Sequence, residues 1–444
     1  MRPIGIDLFA GVGGMSLGFE QAGFDVVAAI EIDPVHCAAH SYNFPNCKVI
    51  PRSVVGLKGS EIRLNARLGT RKIDVVFGGA PCQGFSMIGQ RMLADPRNKL
   101  VIEFLRIVKE LDADYFVFEN VKGLTLGKHK SFLDEFVKLA DELGYTVRLP
   151  WKVLDAANFG VPQHRQRLIL FGAKKNLILP EYPDMWTNAA DGRGLSAEGK
   201  PIGPTVADAL MDLPDAEQFE ELNETDEIGW RDWLEPSMYA KEMRCLTNNA
   251  WHKGHIRNWE PNLLTSSART NHTDISRTRF AKTTGGETEP ISRFYKLSLN
   301  GLSNTLRAGT DGARGAFTSP RPIHPVYNRC ITVREMARLH GYPDWFRFNE
   351  TKWHGARQIG NSVPPPLARA IGSEVFKCLR NSKYSIVETI SLGDTNLLRM
   401  TVSKAADHFD IEAPAQKRDR KSGTKKRKQA EIESEMRDIR VANG

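Results

Sequence analysis

Cys82 is the residue of this chain whose type and surroundings best suit covalent chemistry. It lies in the segment GAPCQGFS at 79–86, directly after the apolar run Ile73 to Phe77. That run predicts a short buried strand, which the following glycines end. A lone cysteine is more often a small buried hydrophobic residue. Here the flanking proline and glycine favour a loop beyond the carboxyl end of a strand, where open α/β sheets bind ligands. We therefore predict that Cys82 is a nucleophile.

A strand, loop and helix at the amino end of the chain could hold a nucleotide-like cofactor. The apolar run Pro3 to Phe9 precedes the loop AGVGG at 10–14, and an amphipathic stretch runs from Met15 to Ala22. Such a loop lets the backbone approach a ligand closely, although a tight turn that serves only packing is equally common. The next strand, Phe24 to Ile30, ends in Glu31, roughly 20 residues past the glycines, where a carboxylate can hold a ribose hydroxyl. Together these features favour an adenosine-containing cofactor.

With both units in place, the chain resembles the cytosine-C5 DNA methyltransferases of bacterial restriction-modification systems. Matching motifs occur in the family's order from residue 3 to about residue 380. The resemblance implies an α/β fold, in which a Rossmann-like S-adenosylmethionine-dependent methyltransferase sheet carries an inserted target-recognition domain. The matching segments are FAGVGG at 9–14, PCQ at 81–83, ENV at 119–121, QHRQR at 163–167, REMARL at 334–339 and QIGNSVP at 358–364.

The resemblance also implies chemical roles. The Cys82 thiolate is expected to add to C6 of cytosine, because C5 is a poor nucleophile until the ring is activated. Glu119 is expected to donate a hydrogen bond to N3, which requires a proton that burial would help it keep near neutral pH. Arg165 is expected to contact the base carbonyl and the backbone, and Asn120 to position Pro81. Taken singly, these charged residues would more often be ordinary surface groups.

The expected cofactor is S-adenosylmethionine, whose methyl group the activated C5 accepts. No side chain is assigned as the base that then removes the C5 proton. Many family members carry an aspartate after the third strand that meets the adenine, whereas this chain has PRSV at 51–54. The residues expected to line the cofactor site are Phe9, Gly11, Gly13, Gly14, Glu31, Ile32, Ser53, Pro81, Leu100, Asn361 and Ser362.

The expected substrate is double-stranded DNA. A base inside a duplex cannot be reached from both faces, so the target cytosine would be extruded into the pocket. The residues expected to contact DNA near the nucleophile are Gln83, Ser86, Arg97, Arg165 and Arg167.

The charge of the chain is unevenly distributed along its length. Residues 241–329 contain 14 Lys+Arg against 6 Asp+Glu, whereas residues 181–240 contain 3 against 15. The basic stretch lies where the family inserts its recognition domain, so Arg277, Arg279 and Thr305 are expected to contact DNA. The alternative is an ordinary solvated face. The acidic stretch, densest from Glu217 to Glu227, is expected to be an exposed insertion.

These breaks divide the chain into four parts. Residues 1–180 are expected to form the catalytic and cofactor-binding domain, residues 181–329 the recognition domain, and residues 330–384 a return to the catalytic domain. A helix from Pro366 to Leu379 is expected to pack beside the first strand. Residues 385–444 are expected to be a disordered basic tail, since Lys417 to Lys428 contains eight basic residues and one acid.

Composition limits the location and the partners. The six cysteines show no C-x-x-C spacing, which argues against zinc and for a reducing cytoplasm, and no metal site is expected. There is no run of about 18 apolar residues, and the amino end enters a strand at once, so neither a membrane span nor a signal peptide is expected. The protein is expected to act in the bacterial cytoplasm as a monomer. A cognate restriction endonuclease would act on the same DNA site without needing to bind it.

Three other functions compete with this interpretation. An RNA cytosine-C5 methyltransferase would use the same cysteine and cofactor, but the related tRNA-modifying branch has a shorter insert with a different signature. A noncatalytic nucleic-acid-binding protein would not need Cys82, Glu119 and Arg165 together. A nicotinamide dehydrogenase would explain the glycine loop and leave the Pro-Cys-Gln segment unexplained.

Overall fold

The computed structural model describes residues 2–81, 99–125, 130–310, 320–379 and 387–414. All of these except Thr310 belong to one compact unit. Among the described residues, no helix is long and apolar enough to cross a membrane.

A central sheet, mainly parallel, organises the described residues. Its strands are β1 Ile4–Leu8, β2 Asp25–Ile30, β3 Lys48–Ile50, β4 Val75–Gly79, β5 Tyr115–Val121, β6 Tyr145–Val147, β7 Lys152–Asp155 and β8 Gln166–Lys174. Their order in the sheet is β3-β2-β1-β4-β5-β8-β6, with β7 paired to β8. The pairs among β1 to β5 are parallel, whereas β8 runs antiparallel to β5, β6 and β7. The predicted α/β fold class and the predicted early strands are confirmed.

Helices cover both faces of this sheet and bury a separate apolar cluster on each. The strands are apolar on both faces, as buried parallel strands usually are. The helices are α1 Gly14–Ala22, α2 Pro34–Asn43, α3 Gly59–Asn65, α4 Lys99–Glu110, α5 Lys130–Glu142, α6 Val206–Leu210, α7 Met238–Met243, α8 Asp274–Lys282, α9 Val333–His340, α10 Lys352–Asn361, α11 Pro365–Lys377 and α12 Val402–His408. Four short strands lie outside the sheet: β9 Ile228–Gly229, β10 Ile256–Asn258, β11 Leu263–Leu264 and β12 Thr389–Ser391.

The predicted helix near residues 366–379 is α11, and its main partner is α1 rather than the first strand. The two helices approach closely because Gly18 has no side chain. A Cβ on Gly18 would lie 2.4 Å from Cβ of Ala368 and 2.6 Å from the Arg369 nitrogen. This contact brings the segment before α11 to the glycine loop.

The acidic stretch is only in part the exposed insertion that the sequence predicted, since Glu220, Glu221 and Glu224 are exposed whereas Asp212 and Asp226 are buried. Several of its carboxylates are counter-charges for buried or half-buried arginines, because an arginine taken out of water needs a partner. Arg338 pairs with Asp212 at 3.0 Å and Arg277 with Glu217 at 2.7 Å. Further pairs join Arg329 to Asp215 and Arg347 to Asp226 and Glu227. Carboxylates of the acidic stretch therefore pair with Arg277 and Arg329 of the basic stretch and also with Arg338 and Arg347, which follow it.

The prediction of a disordered tail from residue 385 is wrong for residues 387–414, which we call the C-terminal strap. β12 pairs in parallel with β10, and α12 packs on α2. Leu398, Ala405 and Ala406 are fully buried. The sequence pattern missed this segment because its apolar residues are few and dock on other elements without a periodic face of their own. The basic cluster at 417–428 lies outside the described residues.

The strap should contribute to stability through Leu398. We expect Leu398→Ala to lower the free energy of unfolding by about 2–5 kcal/mol, as for other fully buried leucines. Leu397→Ala, at a half-buried neighbour, should cost clearly less, and deletion of 415–444 should leave the urea midpoint nearly unchanged. Urea unfolding of the three variants checks this. An unchanged midpoint for Leu398→Ala would contradict a packed strap.

Candidate active site

The candidate site lies where β1, β4 and β5 end. Gly79 is the register partner of Glu119, so the ends of β4 and β5 are adjacent. Pro81 follows β4 and is exposed. Cys82, Gln83, Ser86 and Arg97 lie outside the described residues. The described part of the site is therefore the segment that leads to Cys82 together with the groups around it.

Glu119 is a nearly buried carboxylate, 8% exposed, at the end of β5. Its Oε1 lies 2.7 Å from Nε of Arg167. A Cβ on Gly79 would lie 2.2 Å from Oε2, so only glycine leaves room for the carboxylate in this position. Burial raises the pKa of Glu119, while the positive charges of Arg167 and Arg165 oppose that rise. The arrangement favours a carboxyl group that can hold a proton at a higher pH than an ordinary glutamate.

Asn120 fixes the path of the chain towards the predicted nucleophile. Its side-chain Nδ2 donates to the carbonyl of Ala80 at 3.1 Å, and Asn120 is buried. Its Oδ1 accepts from the Val121 nitrogen. This contact lies one residue before Pro81, which fits the predicted positioning role.

The two arginines of the QHRQR segment have different environments. Arg165 is 1% exposed, and its guanidinium donates to the carbonyls of Leu306 at 2.9 Å and Gly360 at 2.8 Å. Burial lowers the pKa of Arg165 well below its usual range. Arg167 instead pairs with Glu119 and donates to the Gln166 carbonyl. The structure thus uses Arg165 to join three segments and places Arg167 beside the carboxylate.

The glycine loop takes a conformation that few side chains would allow. Phe9 and Gly11 have left-handed φ values of 61° and 55°, and Gly13 has φ 102°. A Cβ on Gly13 would lie 2.5 Å from the Phe44 ring, and one on Gly14 would lie 2.3 Å from the Val363 carbonyl. The loop therefore packs directly on α2 and on the segment before α11, and leads into the amino end of α1.

Glu31 closes this loop from the side of β2. One carboxylate oxygen accepts from the Gly11 nitrogen at 2.8 Å. The other accepts from the nitrogens of Ile32 and Asp33 at 2.9 and 2.8 Å. Ile32 is 62% exposed, an unusual exposure for a large apolar residue beside a loop of this kind. The loop therefore has a carboxylate and an exposed apolar side chain beside it, the two groups expected next to an adenosine-containing ligand. We call the glycine loop with Glu31 and Ile32 the cradle.

Ser53, Leu100, Asn361 and Ser362, which are also predicted cofactor residues, lie on three separate segments. The Ser53 hydroxyl accepts from the Val55 nitrogen at 3.1 Å in the turn after β3. Leu100 is half-buried in the first turn of α4, and Asn361 is exposed at the end of α10. Ser362 is buried, and its hydroxyl donates to the Ile359 carbonyl at 2.9 Å.

Sequence reasoning missed a buried polar group beneath the glycine loop. The Ser16 hydroxyl lies 2.6 Å from Oδ2 of Asp7 and 3.1 Å from Nε2 of His40. Burial raises the pKa of Asp7 to about 8 and lowers that of His40 to about 3. The clue was an aspartate inside an otherwise apolar strand, where an ionised side chain needs a partner.

The predicted recognition residues are held by other parts of the protein. Both terminal nitrogens of Arg277 donate to Glu217 at 2.7 Å, and Nε of Arg279 lies 3.4 Å from Glu289. The Thr305 hydroxyl donates to the His164 carbonyl at 2.7 Å. Among the described residues, no group of three or more His, Cys, Asp or Glu side chains could hold a metal ion.

A solved structure with a similar fold indicates the class of protein to which this chain belongs. The crystal structure of a prophage-encoded E. coli protein, assigned as a DNA modification methyltransferase, aligns with a TM-score of 0.67 at 32% identity, covering 85% of this chain and 100% of that one. The fold is that of the S-adenosylmethionine-dependent methyltransferases.

The family follows from the sequence comparisons. The model of the C-5 cytosine-specific DNA methylases matches residues 4–377. Type II methyltransferase M.XorII of Xanthomonas oryzae pv. oryzae is 54% identical over 416 residues, 92% of this chain and 93% of that protein. M1.HphI of Haemophilus parahaemolyticus is 32% identical over 385 residues, 85% of this chain and 87% of that protein. The chain belongs to the C-5 cytosine-specific DNA methylase family, and it is an enzyme.

The two arginines should respond differently to replacement by lysine. Arg165→Lys removes the planar fork that bridges two buried carbonyls, so we expect a loss of about 1–3 kcal/mol in the free energy of unfolding. Arg167→Lys should cost little stability and should instead lower kcat, because the Glu119 carboxyl loses its oriented partner. Urea unfolding and steady-state methylation rates measure both effects. Equal stability losses for the two variants would contradict this division.

Proposed function

We propose that this enzyme methylates C5 of a cytosine within a specific double-stranded DNA sequence, through covalent addition of Cys82 at C6 of an extruded base. The observation that carries the proposal is the buried Glu119 carboxylate beside Gly79, on the segment that leads to Cys82. A thiol nucleophile and a buried acid together suit addition to a ring that must accept negative charge.

In this mechanism Glu119 stabilises the ring during addition. The thiolate sulfur bonds to C6, and the electron pair of the C5–C6 double bond moves into the ring towards N3. A protonated Glu119 donates a hydrogen bond there, which its raised pKa supports. The activated C5 then takes the methyl group. Loss of the C5 proton restores the double bond and expels the thiolate.

Arg167 is the better candidate for the role that the resemblance gave to Arg165. The base carbonyl must lie close to Glu119, and the Arg167 side chain is already beside that carboxylate. Arg165 has its two terminal nitrogens occupied by backbone carbonyls in the interior. Arg165 would then position the Leu306 and Gly360 segments around the pocket, and Arg167 would contact the base.

The cofactor fits the cradle formed by the glycine loop and Glu31. S-adenosylmethionine supplies an electrophilic methyl group when bound. Gly11 leaves open space where a side chain would be, since an added Cβ meets no atom within 4 Å. Glu31 would hold the ribose hydroxyls, and Ile32 would cover the adenine. Phe9, Gly13, Gly14, Ser53, Pro81, Leu100, Asn361 and Ser362 would complete the site.

DNA contacts are proposed on two segments. Gln83, Ser86 and Arg97 would follow the duplex around the extruded base. Thr305 would also contact DNA, because it is exposed and its hydroxyl donates to the His164 carbonyl, which fixes its position. Arg277 and Arg279 would reach DNA only by sharing or leaving their carboxylate partners, so they are weaker candidates than the sequence suggested.

The biological role proposed is protection of host DNA in a type II restriction-modification system. Type II methyltransferases M.XorII and M1.HphI are similar along most of their length, which supports this role. The enzyme would act as a monomer in the bacterial cytoplasm. Its partner endonuclease would cut the same sequence when unmethylated and would not need to bind the enzyme.

Covalent trapping tests the mechanism. Sequencing of methylated cytosines in DNA exposed to the enzyme first gives the target site. A duplex with 5-fluorocytosine there should then yield an adduct that survives denaturing gels, because fluorine at C5 leaves no proton to remove and Cys82 stays bound. Glu119→Gln should bind the duplex yet slow transfer by roughly 100-fold or more.

Two comparisons make the trapping result specific. Cys82→Ala should give no adduct and no methylation, whereas Cys378→Ala, at a half-buried cysteine on another part of the chain, should retain both. The same sequence as RNA should not be trapped. Methylation by Cys82→Ala, or preferential trapping of the RNA, would overturn the proposal.

A further inference from the structure

A series of buried hydrogen bonds connects Leu306 to the glycine loop at residues 10–14. Leu306 lies in residues 181–329, which we call the inserted segment. The Leu306 N–H donates to Oε1 of Gln163 at 3.0 Å. Nε2 of Gln163 then lies 2.9 Å from Nδ1 of His340 and donates to the Leu339 carbonyl at 3.2 Å. Nε2 of His340 lies 3.2 Å from the carbonyl and 3.1 Å from the hydroxyl of Ser362. Gln163 and His340 are fully buried.

The donor and the acceptor of each hydrogen bond in this series can be assigned. The Leu306 N–H can only donate and the Leu339 carbonyl can only accept, which fixes both ends of the Gln163 amide. The Ser362 carbonyl can only accept, so His340 carries its hydrogen on Nε2. Nδ1 is then free to accept from Gln163. Burial lowers the pKa of His340 well below its usual range, which keeps the ring neutral in this tautomer.

The far end of the series controls the space available to the glycine loop. A Cβ on Gly14 would lie 2.3 Å from the Val363 carbonyl, 2.7 Å from the Tyr342 hydroxyl and 3.0 Å from Cβ of Ser362. The backbone of Ser362 and Val363 therefore lies in direct contact with the loop. A shift of His340 would move Ser362 and change this contact.

The near end is attached to the inserted segment by further contacts. The Thr305 hydroxyl and the Ser303 carbonyl both bond to the backbone of His164, next to Gln163. Arg165 holds the Leu306 carbonyl from the other side. Any change in how residues 303–306 are seated would thus reach Gln163 first.

We propose that His340 is a positioning residue that links the seating of residues 303–306 to the shape of the glycine loop. Cofactor affinity then depends on a hydrogen-bond chain whose first members do not touch the cofactor. This inference rests on the proposed function only in assigning S-adenosylmethionine to the loop. DNA that engages the inserted segment would change cofactor affinity through the same chain, and by reciprocity the cofactor would change DNA affinity.

A double-mutant cycle on cofactor binding tests the link. S-adenosylmethionine binding to the full-length enzyme is measured by calorimetry for wild type, Gln163→Ala, His340→Gln and the double variant. Each single variant should raise Kd roughly 5- to 10-fold, the scale of one or two buried hydrogen bonds. The Kd of the double variant should be no higher than that of the single variant with the higher Kd, because both changes interrupt the same series of hydrogen bonds.

Asn158→Ala is the matched control. Asn158 is also a buried amide, and its Nδ2 donates to the carbonyls of Thr187 and Leu195 in the inserted segment. These contacts are not part of the hydrogen-bond series from Leu306 to Ser362. It should lose stability and keep the wild-type Kd. If His340→Gln fails to fold, the comparison of Gln163→Ala with Asn158→Ala still decides. Equal effects of those two variants, or additive effects in the cycle, would overturn the inference.

The wild-type measurement separates this inference from the proposed function. Wild-type enzyme that does not bind S-adenosylmethionine would contradict the cofactor assignment itself. Wild-type binding together with an unchanged Kd in Gln163→Ala would contradict only the role of His340.

Discussion

The buried carboxylate of Glu119 is the constraint on which the rest of the site depends. Burial favours the protonated form, whereas the adjacent Arg167 favours the ionised form. In the proposed mechanism Glu119 donates a hydrogen bond during addition and then returns to its starting state, and such an acid benefits from this balance. Gly79 makes the position possible, because a larger residue would occupy the place of Oε2. The residues that lead to Cys82, the Glu119 carboxyl and its partner Arg167 thus lie at the ends of three neighbouring strands.

The arrangement around this carboxylate explains why distant parts of the chain must meet. β8 brings Arg167 beside β5, because the two strands pair antiparallel with Val121 opposite Arg167. Two residues earlier, Arg165 turns inward and joins the Leu306 and Gly360 carbonyls. Residues 165–167 therefore supply the guanidinium beside Glu119 and also the guanidinium that joins Leu306 to α10. Burying such a guanidinium is costly unless its donors are used, which makes the bridge specific.

The sequence predicted the parts of the fold that have strong local patterns. Apolar runs located β1, β2 and β4, although Gly78 and Gly79 belong to β4 and do not end it. The sequence could not distinguish Arg165 from Arg167, since only the pairing of β8 with β5 determines which guanidinium faces Glu119. Charges counted along the sequence do not show which side chains pair in the fold. Arg277 was therefore expected to be available for DNA, although it pairs with Glu217, sixty positions away. The C-terminal strap was missed because Leu398 is buried by α2 and its neighbours, not by a pattern of its own.

The titration of Glu119 tests the central claim most directly. Infrared difference spectra of wild type against Glu119→Gln, recorded across pH in the absence of DNA, isolate the carboxyl band of this residue. We predict that the protonated band persists above the pH near 4.3 at which an ordinary glutamate ionises. We also predict a further rise in that midpoint in Arg167→Ala, because the opposing positive charge is removed. A midpoint at or below the ordinary value, or one that falls in Arg167→Ala, would contradict this claim.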